Sequence, residues 1–159
     1  AVGAPTQRAP TLWSYTRMGA THLGAVPAYA SGGYYRDGRT PGVLGEEMAS
    51  YAALGFKAVK MKVGRLDPDG EEARIKAARK AIGPNVLLML DANNAWSDLP
   101  TALRYMQRYE PYDPYWIEEP FGPDDIENHA RLAERPKVCL LYTSPSPRDR
   151  TRSRMPPSA

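Results

Sequence analysis

The chain has 159 residues and a formal net charge of +3, from 21 Lys and Arg against 18 Asp and Glu. The excess lies wholly in the last stretch, where Arg148, Arg150, Arg152 and Arg154 face one acid, Asp149, so residues 1–138 carry 17 charges of each sign. That balance argues against a nucleic-acid or anionic-membrane partner, the single cysteine rules out a disulfide framework, and no run of about 18 apolar residues could span a bilayer.

The chain opens on "AVGAPTQRAP", which has neither the charged start nor the apolar run of a signal peptide, and we expect an interior segment cut at both ends. "VPAYAS", Val26 to Ser31, reads as a strand. After the loop "GGYYRDGRTPG" comes "GEEMASYAALG", a helix with Met48, Tyr51 and Ala52 on one face and Gly55 closing it. In "AVKMKVG", Ala58 to Gly64, Val59, Met61 and Val63 alternate with Lys60 and Lys62, so this is a strand with two lysines on one face. "DPDGEEARIKAARKAIGP" is a helix opened by acids, with Ile75, Ala78 and Ile82 as its buried stripe and Gly83-Pro84 as its end. "NVLLMLDANNAW" holds five successive apolar residues, Val86 to Leu90, the mark of a parallel strand covered on both faces. "SDLPTALRYMQRYE" follows as a helix with Leu103 and Met106 inward, "YWIEEP" as a short strand, and "DDIENHARLAE" as a helix whose His129 is expected at the surface.

After Val138 the apolar period stops. Cys139 to Asp149 is what the adaptor of a transposase-based sequencing library encodes in this frame. Beyond an index-length gap, Ser153 to Ala159 follows the same adaptor except at Pro157. Residues 139–159 are therefore expected to be a non-native tail and carry no weight in the fold reading.

Strand then helix, repeated four times, means an α/β fold, either doubly wound or a (β/α) barrel. The polar residues at the strand ends recur at intervals of 31, 29 and 27, at Ser31, Lys62, Asp91 and Glu118. A barrel gathers such residues at one mouth, and no glycine-rich nucleotide loop follows the first strand. In a barrel Val59, Met61 and Val63 pack under helices while Lys60 and Lys62 point inside. A buried ammonium needs a partner, and the next strands offer Asp91 and Glu118.

"VKMKVG", "LDANNAW" and "WIEEP", in that order and at those intervals, resemble the enolase superfamily, in particular the barrel domain of mandelate racemase and muconate-lactonizing-type enzymes. The resemblance covers residues 26–138 and implies a partial (β/α) TIM-type barrel, its first four or so βα units, with residues 1–25 as linker from an N-terminal capping domain. It also implies Asp91 and Glu118 as ligands of an essential Mg²⁺, Lys62 as base and Lys60 as its catalytic companion. Asn93 and Ser31 become substrate-binding candidates. The implied partner is a small carboxylate such as a sugar acid, acted on by a cytoplasmic, homo-oligomeric parent with no nucleic acid or membrane partner.

Removing the proton next to a carboxylate makes a dianionic enediolate. Carboxylate-held Mg²⁺ stabilises that charge while a lysine takes the proton, an arrangement the superfamily is known for. E-E-P leans toward acid-sugar dehydratases and racemase-like members and away from muconate cycloisomerases and dipeptide epimerases. A racemase, epimerase or cycloisomerase of the superfamily, a Schiff-base aldolase barrel and an inactive truncated chain are the alternatives. Blander roles stand beside these: lysines on a solvated strand face, Asp91 as a turn residue, Glu118 and Glu119 in surface ion pairs, and Trp96 and Trp116 as packing.

Overall fold

A computed structural model describes residues 27–134 and 139–141. β1 (Ala30–Gly32), β2 (Ala58–Lys62), β3 (Leu87–Asp91), β4 (Pro114–Glu118) and β5 (Cys139–Leu141) form one sheet in that order, every neighbouring pair parallel. A doubly wound sheet reverses its strand order at a switch point. This one does not, so the architecture is the opening arc of a (β/α) barrel. β5 consists of the first three residues of the segment expected to be a tail; residues 1–26 and 142–159, which hold the expected linker and the rest of that tail, lie outside the described residues.

Each α-helix starts on a side-chain cap. α1 (Pro41–Ala53) is capped by Thr40, with Pro41 at its first position, so it begins four residues before the stretch expected from its apolar face. In α2 (Pro68–Ile82) the Asp67 carboxylate accepts from Gly70 N–H at 2.8 Å, and Gly83, at φ +70°, ends the helix. Asp98 caps α3 (Leu99–Tyr109) through Thr101 N–H at 2.8 Å, and Asp125 caps α4 (Ile126–Ala133) through Asn128 N–H at 3.1 Å. Cap and helix start recur after each of β1 to β4, the local signal that turns the chain back over the sheet.

Val59, Met61, Leu88, Leu90 and Ile117 form the covered face of the sheet, each with no more than 0% exposure, and meet Leu44, Met48, Ile75, Ala78 and Met106 from the helices. Each such large apolar side chain contributes about 1.5–3 kcal/mol by leaving water. Ladder partners share a face, so the other face carries Ser31, Lys60, Lys62, Met89, Asp91, Trp116 and Glu118.

Four local expectations need correction. The ladder of the first strand is Ala30–Gly32, not Val26–Ser31, because only there does the chain pair with β2; Val26 lies outside the described residues. Leu103 is only partly buried, and Ala102 and Tyr109 join Met106 on the inward stripe. Glu71 and Arg74 share the buried face of α2. His129 is buried, edge-on to Phe121 with ring centroids 5.2 Å apart, while Ile126 on the same helix is 73% exposed. No helix among the described residues is long and apolar enough to cross a membrane.

Candidate active site

The register of β2, β3 and β4 sets Lys62, Asp91 and Glu118 in one layer at the C-terminal strand ends, with Lys60 one layer below. A register shift makes this possible. Leu88 pairs with Pro114 but Met89 pairs with Trp116, so Tyr115 has no partner in the ladder and is half exposed. Without the extra residue Ile117 would sit opposite Asp91, and Glu118 would turn to the other face.

The four charged groups interlock. Lys60 Nζ lies 2.5 Å from Glu118 Oε2 and 3.2 Å from Asp91 Oδ2, and Lys62 Nζ donates to Asp91 Oδ2 at 2.6 Å. Lys60, Asp91 and Glu118 are buried; Lys62, nearer the mouth, is partly open. Burial alone would lower the Lys60 pKa. Its hydrogen bonds to Glu118 and Asp91 and their negative charges outweigh that, so the ammonium is held protonated above its ordinary value of 10.5. Tyr29 and Tyr34 add ring faces 5.4 Å from Lys60 Nζ and 5.8 Å from Lys62 Nζ; spacing along the chain gave no sign of either.

Asp91 also has a turn role, since its Oδ1 accepts from Asn93 N–H at 3.1 Å. Asn93, Asn94 and Glu119 all have positive φ. Asn tolerates that conformation, whereas for Glu119 it costs about 1–2 kcal/mol. Cross-bonds hold the two loops in place: Ala92 N–H donates to Glu118 O at 2.9 Å and Asn94 N–H to Glu119 O at 2.7 Å. Glu118 thus points into the site while Glu119 turns toward Asn93, whose Nδ2 lies 3.5 Å from Glu119 Oε2. Ser31 is exposed on the lysine face, in register with Lys60 rather than with the Lys62 layer. Trp96 is packed in the core, and Trp116 sits on the inner face, edge-on to Tyr29.

A cavity of about 500 Å³ opens beside this cluster, lined by Tyr34, Tyr35, Lys62, Arg65, Asn93 and Ala95. That size suits a small organic ligand. Gly64 forms part of its floor at φ +96°, where a Cβ would lie 2.5 Å from Ala95 Cβ.

Residues 43–143 match the family described as enolase C-terminal domain-like. The chain belongs to the enolase superfamily. It is 36% identical over 115 residues to an arabinonate dehydratase of Saccharolobus solfataricus, covering 72% of this chain and 31% of that protein. It is 40% identical over 108 residues to a 3,6-anhydro-alpha-L-galactonate cycloisomerase of Streptomyces coelicolor, covering 67% and 29%. Among solved structures, a racemase from Streptomyces coelicolor A3(2) with bound magnesium superposes with a TM-score of 0.66 at 35% identity, covering 74% of this chain and 32% of that one. The chain thus spans about a third of these relatives, which include a dehydratase, a cycloisomerase and a racemase.

The donor chemistry of this superfamily member fits a hard divalent cation. Asp91 Oδ2 and Glu118 Oε2 come from neighbouring strands and converge on a single positive centre, the Lys60 ammonium. Mg²⁺ is held by one or two carboxylates with other oxygens completing the shell. Among the described residues no third acid, histidine or cysteine joins the pair.

Proposed function

We propose that the chain supplies the first βα units of a longer Mg²⁺-dependent enzyme that removes the proton next to a carboxylate, with dehydration of an acid sugar as its reaction. The observation that carries this reading is the convergence of two buried carboxylates on one cation, with the half-open Lys62 beside them at the edge of the cavity. Asp91 and Glu118 would hold the metal, which would supply positive charge for the substrate's carboxylate oxygens. Lys62, nearest the cavity, takes the α-proton. Lys60, fixed between Glu118 and Asp91, polarises the same carboxylate. Asn93 hydrogen-bonds substrate at the rim, and Ser31 does so from the neighbouring strand.

Similarity to a dehydratase of arabinonate favours elimination of the neighbouring hydroxyl after proton removal. Similarity to a cycloisomerase keeps a second outcome of the same first step, intramolecular ring closure or opening. A Schiff-base aldolase needs one desolvated lysine and no metal, whereas both lysines here pair with carboxylates, Lys60 with Glu118 and Asp91 and Lys62 with Asp91.

The test is deuterium exchange at the α-carbon of arabinonate, L-galactonate and galactarate by the full-length protein with Mg²⁺. Exchange is expected in the wild type and lost in Lys62→Ala, with Mg²⁺ affinity measured by calorimetry largely kept. Exchange retained in Lys62→Ala would remove Lys62 from the base role, and borohydride trapping of a lysine adduct without any Mg²⁺ requirement would sink the metal reading. Residues 1–138 alone are expected to give no turnover.

A further inference from the structure

Behind the catalytic strand ends, a single side-chain pair on α2 grips both loops that border the cavity. Arg74 donates from Nη2 to Gly33 O at 2.6 Å and from Nη1 to Lys62 O at 3.0 Å, while Nη1 also meets Glu71 Oε2 at 3.0 Å. Glu71 Oε1 accepts from the N–H groups of Arg65 and Leu66, both at 2.9 Å, and from the Tyr35 hydroxyl. The Tyr35 ring lies 3.9 Å from the Arg74 guanidinium carbon, and its oxygen accepts from Arg65 N–H at 3.2 Å. Glu71 is 0% exposed and Arg74 5%.

Two features separate this cluster from ordinary helix anchoring. Replacing a buried ion pair by apolar groups of similar size is often neutral or stabilising, so stability alone gives no reason for one here. The bonds also share a destination: the carbonyl of the proposed base, the two amides that follow Gly64, and the loop that carries Tyr34 and Tyr35. The planar guanidinium spans the carbonyl ends of β1 and β2 at once, which a lysine ammonium cannot reproduce. Gly33, at φ +67°, brings the first loop so close that a Cβ there would lie 2.7 Å from Met61 Cβ.

We propose that Glu71, Arg74 and Tyr35 are positioning residues that fix Lys62 and the tyrosine wall of the cavity relative to each other for proton abstraction. This rests on Lys62 as the base. A shift of about 1 Å at a reacting group can cost about 100-fold in rate, so Arg74→Lys, which keeps the charge but loses the fork, is expected to lower kcat for α-proton exchange about 30-fold with KM within about threefold. Tyr35→Phe, which keeps the ring, is expected to lower it about fivefold by the same reasoning, and it supplies the test should Arg74→Lys fail to fold.

Two readouts report position directly in the full-length protein. The Lys62 Cε signal of lysine-labelled protein is expected to shift in both variants while those of distant lysines stay put, and the Arg65 and Leu66 amides are expected to exchange faster. Folded variants with kcat within about twofold of wild type and an unmoved Lys62 signal would overturn the proposal and leave a stability device. Absence of exchange by the wild type on all three sugar acids would instead fail the proposed reaction, and the positioning claim would then stand or fall on the Lys62 signal.

Discussion

On the inner face of the sheet, Lys60, Lys62, Asp91 and Glu118 find their partners mainly in one another; on the helix side, Glu71 and Arg74 direct most of their hydrogen bonds to main-chain groups. Both clusters are buried ion networks, yet their bonds commit them differently. Side chains paired across strands can exchange partners when a cation or an anionic substrate arrives. A pair bonded to backbone cannot move without moving the loops. The same residue types thus serve as reactive groups in one place and as a fixed frame in the other, according to what completes their hydrogen bonds.

Removal of one partner from the frame has the largest expected effect. Arg74→Met leaves the Glu71 carboxylate buried without a counter-ion and is expected to cost about 3–5 kcal/mol in urea unfolding of the full-length protein. A cost below about 1 kcal/mol, typical of exposed pairs, would put the frame on a par with the surface. Next in size is Gly64→Ala, at the junction between Lys62 and the gripped amides. Its positive φ and the crowding by Ala95 make a loss of more than about 1 kcal/mol the expected result, and a neutral outcome would show that the junction yields easily.

Lys62→Met tests the other cluster. Asp91 keeps Lys60 as a partner, so the loss of one charged hydrogen bond is expected to destabilise by about 1–2 kcal/mol, clearly less than Arg74→Met. Equal losses would erase the distinction. The smallest effect concerns Tyr35. Burial, then its hydrogen bond to Glu71 and that group's charge, raise its phenol above the ordinary 10.0. A raised folded pKa means that the contribution is fully present below the unfolded value and fades as pH rises through the folded one. The Tyr35 ring-carbon NMR signal is therefore expected to titrate later than those of exposed tyrosines, and earlier in Glu71→Gln than in wild type. An unchanged titration in Glu71→Gln would detach Tyr35 from the frame.

Much of the frame was legible in principle. Glu71 and Arg74 fall on the same 3.6-residue stripe as Ile75, Ala78 and Ile82, but a charged residue on a buried stripe carries no sign of its partners. Here those are the carbonyl of Gly33, 41 residues away, and amides reached only after the β2 loop has folded back. The burial of His129 is hidden from the sequence for the same reason, since nothing local shows that Phe121 turns its ring toward that face of α4.

The alternation of strand and helix and the sharing of one face of β2 by Lys60 and Lys62 are legible in the sequence alone, because each follows from periods of two and 3.6 within a few residues. The order of the sheet, the level at which Ser31 meets Lys60, and the shift at Tyr115 that turns Glu118 toward Asp91 arise only in the folded chain. Register between strands some 30 residues apart depends on how the intervening helix packs and closes the loop, and a one-residue difference there reverses which side chains face the site.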